Sequence, residues 1–114
     1  MPNELKIKLP KKLKIGGHVF DIVFPYRFPD SDTTGGESYP EENIIKINDH
    51  SGMGMPKSES TVWVYLIHEI LHAIDQFTMY EVFNNTENGE QACEAIAQYL
   101  YQVLNDNDLL KKPK

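Results

Sequence analysis

At 114 residues the chain is long enough for one hydrophobic core and too short for two. Apolar residues make up 40% and charged residues 25%, ordinary globular usage that argues against disorder or a fibrous repeat. A net charge of -6 argues against nucleic acid as the main partner, because phosphate binding draws on clustered Lys and Arg.

Lys6, Lys8, Lys11, Lys12 and Lys14 do gather near the start, but they alternate with apolar residues as the outward face of strands would. Leu5 to Leu9 and Leu13 to Ile15 read as strands, and Gly16-Gly17 predicts a hairpin into a strand over His18 to Phe24. A turn-rich connection from Pro25 to Gly35-Gly36 follows. Glu37 to Tyr39 and the β-branched segment Asn43 to Asn48 then flank a turn at Pro40. The loop from Asp49 to Met55 stops at Pro56, a residue suited to the first turn of a helix. From Val62 to Ile74, ten of thirteen residues are apolar, which predicts a helix buried in the middle of the domain and running to about Tyr80. A second helix is expected after a polar loop, with Asn88 as N-cap, Gln91 closing a capping box, and Ile96, Leu100, Val103 and Leu104 as its apolar stripe. Residues 107–114 are expected to fray. The expected fold is one α+β domain over residues 1–114, with a small antiparallel or mixed sheet of three to five short strands packed on two helices.

Cys93 has no partner for an intrachain disulfide, and no apolar run reaches the roughly 18 residues needed to span a bilayer. With no signal-like stretch in residues 1–10, these features set the expectation of a cytoplasmic protein without a membrane partner.

Inside the apolar helix sit His68, Glu69 and His72, ionisable groups where burial should exclude them. An unpaired buried charge is costly, so these groups call for a partner. Two histidines four residues apart lie one turn apart on one face, where both imidazoles can reach a single divalent ion at about 2 Å. Glu69 points to one side, able to meet a metal-activated water without ligating, which is the general-base position of an HExxH motif. With four histidines in the chain, a chance HExxH is expected in roughly one such sequence in a hundred.

A catalytic zinc site needs a third protein ligand and an open position. Asp75 shares the helix face but lies about 10.5 Å along the axis from His68, a spacing that suits an acceptor for His72 better than a ligand. On the second helix Glu90 falls about 80° from the centre of the apolar stripe and Glu94 about 120°. Glu90 is therefore the expected ligand, with Glu94 the alternative. Tyr65, Tyr80, His50 and Tyr39 are candidate donors to a reaction oxyanion. His18 reads as a strand or turn residue and Cys93 as a small core residue.

HEILH at 68–72, followed 18 residues after His72 by Glu90 and then by Cys93 and Glu94, resembles the gluzincin metallopeptidases. It is similar in particular to small phage- and prophage-associated HExxH proteins and to ImmA/IrrE-like metallopeptidases. The resemblance implies a minimal zincin-like architecture, Zn2+ as cofactor, His68, His72 and Glu90 as its ligands, and Glu69 as general base in peptide hydrolysis. It matches Glu94 to the Asp that supports the ligands in that family. A peptide or protein substrate, paired beside the Asn43 to Asn48 strand, and a protein regulator are the partners it implies. The alternative is a non-catalytic, zinc-stabilised interaction or regulatory module. Glu69 discriminates the two, since a structural site has no use for a carboxylate that does not ligate. The oligomeric state is left open.

Overall fold

Two glycines with positive φ, Gly16 at 58° and Gly17 at 84°, turn the chain back on itself and join β1 (Lys12–Ile15) to β2 (His18–Val23). The pairing is antiparallel, with Ile15 opposite His18. The computed structural model describes residues 7–29, 31, 33–50 and 57–110. A second hairpin joins β3 (Gly36–Tyr39) to β4 (Ile44–Ile47), its turn closing through Asn43 at φ 58°, a conformation that a short polar side chain tolerates. β4 also pairs with β2 in parallel, so the mixed four-stranded sheet runs β1-β2-β4-β3. β3 is therefore an edge strand. β4 has both edges occupied.

Alternation along β2 and β4 aims Phe20, Ile22, Ile45 and Ile47 at one face of the sheet, where Val62, Leu66 and Ala73 of α1 (Glu59–Thr78) cover them. Ser58 caps α1 by accepting the Thr61 N–H at 3.2 Å, and Met79 ends it in the left-handed conformation. On its other side α1 packs Val64 and Ile67 against Ala97 of α2 (Gly89–Asp106), with Leu71, Tyr101 and Leu104 around them. Sheet, α1 and α2 thus form three layers, which accounts for the all-round apolar character of α1.

α2 departs from expectation in two respects. Asn88 holds the N-cap position at φ 63°, and its side chain makes no capping hydrogen bond, so the capping box does not form. The inward face consists of Gly89, Cys93 and Ala97, with Tyr101 and Leu104 beyond, while Ile96, Leu100 and Val103 are exposed. Small residues let the two helix axes approach closely, and the larger apolar residues are left outside.

Ile7–Leu9 is not a strand, although Ile7 and Leu9 pack against the sheet core. Leu5, Lys6, the loop glycines Gly52 and Gly54, Pro56 and residues 111–114 lie outside the described residues. Residues 107–110 continue α2 as a turn in which the Leu109 N–H donates to the Leu104 carbonyl at 2.8 Å. Among the described residues, no helix is long and apolar enough to cross a membrane.

β3 reaches α1 through two glycines. A Cβ on Gly35 would stand 2.5 Å from the Tyr65 ring, and one on Gly36 would stand 3.1 Å from Glu69 Cγ. Gly35→Ala is expected to push β3 off α1 and destabilise the protein by about 1–3 kcal/mol, measurable by urea denaturation.

Candidate metal centre

Tyr65, His68, Glu69 and His72 occupy the face of α1 that opens between β3 and α2. A cleft of about 580 Å³ lies over them, with residues 33–38 along one wall and Glu90 and Glu94 of α2 along the other. The two imidazoles bring their Nε2 atoms within 3.1 Å of each other. Glu90 spans both, with Oε1 2.7 Å from His72 Nε2 and Oε2 3.2 Å from His68 Nε2. Tetrahedral ligands bound at about 2 Å to one ion stand roughly 3.3 Å apart, so the three groups are spaced close to what a single ion requires.

The Nδ1 atoms fix the tautomer of these rings. His68 Nδ1 lies 2.9 Å from Glu94 Oε1, and a carboxylate only accepts, so Nδ1 carries the proton. His72 Nδ1 lies 2.5 Å from Asn84 Oδ1. The Asn84 amide is oriented by its own Nδ2, which donates to the His72 carbonyl at 3.2 Å, so its oxygen faces the ring and Nδ1 again donates. Both Nε2 atoms are left with bare lone pairs aimed at one another and at the Glu90 carboxylate. Such an arrangement needs a cation, or a proton, at its centre. The His72 pKa reflects this: burial lowers it, but the contacts with Asn84 and Glu90 and the nearby charge of Glu69 leave it above 6.5.

Glu69 is buried beneath the cleft. Burial raises its pKa above 4.5, against the opposing pull of His68 and His72 and a hydrogen bond from Ser38. Cys93 also lies close: His68, His72 and Cys93 offer ligand atoms all within 4.8 Å of one another, a group that could hold a metal ion. Its thiol, however, is fully buried and donates to the His68 carbonyl at 3.4 Å. Burial first, and then the charges of Glu90, Glu69, Glu94 and Asp75, push its pKa up to about 12. A thiol ligates as thiolate, so Glu90, whose carboxyl group contacts both rings, is the better donor.

Asp75 is placed differently from its expected contact with His72. The Nδ1 partner of His72 is Asn84, and the Asp75 carboxylate accepts three backbone N–H groups, from Val82 at 2.7 Å, Phe83 at 3.0 Å and Asn84 at 2.8 Å. It supports His72 through the loop that carries Asn84. The strand beside the site is also different: β4 is paired on both sides, and the unpaired edge at the cleft belongs to β3. Of the four oxyanion candidates, Tyr65 lines the cleft, with its hydroxyl held by Lys57 Nζ at 3.0 Å. Tyr39 donates its hydroxyl to Glu37, Tyr80 is exposed after α1, and His50 Nδ1 contacts Asp49 and Arg27. Asn84 and Ser38 were not legible as site residues, since each is an ordinary polar residue of a loop or strand until the fold brings it to the motif.

No family model matches the chain, and no curated protein or solved structure matches it.

Burial raises the Asp75 pKa, but its three backbone donors and the nearby His72 charge reverse this and leave it below 3.8. The stabilisation it contributes is therefore present above about pH 4 and is lost as pH falls through the lower, folded value. Asp75→Asn is expected to cost about 2 kcal/mol near neutrality. In denaturant titrations at several pH values, the gap between variant and wild type should close in acid.

Proposed function

We propose that the protein is a zinc-dependent metallopeptidase acting in the cytoplasm, with His68, His72 and Glu90 as metal ligands and Glu69 as general base. The observation that carries this reading is the convergence of three electron-pair donors on one point, with both imidazoles committed by their Nδ1 protons to present bare Nε2 atoms. The resemblance of HEILH and Glu90 to gluzincins, and to small prophage-associated ImmA/IrrE-like proteins, supports the same reading.

Zinc, when bound, supplies Lewis acidity toward a peptide carbonyl and acidifies a water molecule. The chain's residues do the rest. Glu69, one position along the helix from His68, accepts the proton of that water, and its raised pKa makes it a stronger base than an exposed glutamate. The same carboxyl can return the proton to the leaving amine. Ser38 holds Glu69 in place. Glu94 and Asn84 hold the rings in the ligating tautomer. The free edge of β3 offers backbone N–H and C=O groups to an extended peptide running through the cleft, which fixes its direction beside Glu69.

Glu69→Gln is expected to keep one zinc per chain and its folded stability while losing hydrolysis by roughly a hundredfold or more. Mass spectrometry on an unstructured peptide mixture, with metal analysis of the same sample, reads both. Loss of zinc, or unchanged turnover, would overturn the role of Glu69.

The proximity of Cys93 favours a second reading, a closed structural site in which zinc only joins the helices. Under the peptidase reading, Glu90→Ala lowers zinc affinity by more than roughly a hundredfold and Cys93→Ala leaves it unchanged, as competition with a chromogenic chelator would measure. The reverse ranking would favour the closed site.

A further inference from the structure

Beside the cleft lies a recess of about 360 Å³ between the first turns of α1 and the middle of α2, lined by Ser60, Thr61, Val64, Tyr65, Glu94 and Gln98. Tyr65 and Glu94 line the cleft as well, so the two spaces meet at these side chains. Glu94 Oε1 accepts from His68 Nδ1 at 2.9 Å, and its Oε2 accepts from Gln98 Nε2 at 3.0 Å. Neither donor carries a charge when His68 is in its ligating tautomer. A carboxylate has about four acceptor sites, so each oxygen keeps a free lone pair, and the side chain is 38% exposed. Glu90 and Glu69 would face the two charges of a zinc ion, one as ligand and one as base. Glu94 has no such counterpart, since from Ser58 to Leu110 the chain contains no lysine or arginine.

We propose, building on the peptidase reading above, that Glu94 and this recess select a lysine or arginine side chain of the bound peptide. The recess suits such a side chain in shape as well as charge. Val64 and the Tyr65 ring offer apolar surface to a methylene stem, the hydroxyls of Ser60 and Thr61 and the Gln98 carbonyl can accept from the cationic head, and Glu94 supplies the opposite charge. An acidic side chain would meet no cation there and would lose water without compensation. The position along the peptide follows from β3. Glu69 lies against Gly36 and takes a hydrogen bond from Ser38, whereas the Tyr65 ring lies against Gly35. A peptide paired along β3 therefore carries the selected residue on the Gly35 side of the bond to be cleaved, within about two positions of it.

Zinc-loaded Glu69→Gln protein, expected to bind without cleaving, separates recognition from hydrolysis. Labelled peptides with blocked termini, carrying lysine, norleucine or glutamate at each position in turn, are titrated against it by fluorescence anisotropy, and wild type is assayed for cleavage of the same set. Lysine at one position, on one side of the bond, is expected to bind roughly tenfold tighter than norleucine, which keeps the stem without the charge, and glutamate is expected to bind more weakly than either. Gln98→Lys, which sets a cation beside Glu94, should erase the lysine advantage while norleucine peptides bind as before, and Gln98→Ala should retain it. Equal affinity for lysine and norleucine, an advantage shared by every position, or a Gln98→Lys protein that still prefers lysine would each overturn the proposal. Selective binding of the lysine peptide without cleavage by wild type would uphold the recess and overturn the peptidase reading.

Discussion

Everything at the centre of this molecule depends on two imidazoles whose Nδ1 atoms are committed to outer partners, so that their Nε2 atoms turn toward each other. Glu94 and Asn84 each take a proton donation at Nδ1, and the Nε2 atoms, 3.1 Å apart, face the Glu90 carboxylate. Three lone-pair donors at that separation repel unless something positive lies among them. A low-dielectric wall sharpens the demand, because Glu69 is buried alongside. The site thus stores an electrostatic requirement rather than merely a set of suitable residue types.

The rest of the fold meets the geometric side of that requirement. α1 lies between the sheet and α2, so its register is fixed from two directions, and only a narrow strip of it opens toward the cleft. The strip contains the ligands because four-residue spacing keeps His68 and His72 on it. α2 approaches closely through Gly89, Cys93 and Ala97, which brings the carboxylates of Glu90 and Glu94 within reach of rings on the neighbouring helix. β3 comes close from the other wall because Gly35 and Gly36 have no side chain to hold it away.

What could be read from the sequence was what rests on local periodicity. The Gly16-Gly17 hairpin, the β3–β4 turn, the central helix and the mixed sheet on two helices all follow from spacing and turn chemistry, and the structure has them. The errors came where tertiary packing decides. Spacing alone predicts Ile96, Leu100, Val103 and Leu104 as the inner stripe of α2, whereas packing turns it so that Cys93 and Ala97 face inward with Leu104, and the other three are exposed. Asp75 was matched to His72 by helical phase alone, and a loop whose path is invisible in sequence supplied Asn84 instead. Which strand borders the cleft was equally invisible, because strand order depends on the parallel pairing of β2 with β4, a contact between segments more than twenty residues apart.

The grip of Asp75 on three consecutive amides divides the site into two mechanical bodies. Asn84 is tied through Val82, Phe83 and its own N–H to the last turn of α1, and so travels with both histidines. Glu90 and Glu94 belong to α2. Any swing of α2 therefore carries away a ligand and the acceptor of His68 together, while His72 keeps its orienting partner. The two rings are thus unequal: the Nδ1 partner of His72 is tied to α1 itself, and that of His68 is borne by α2.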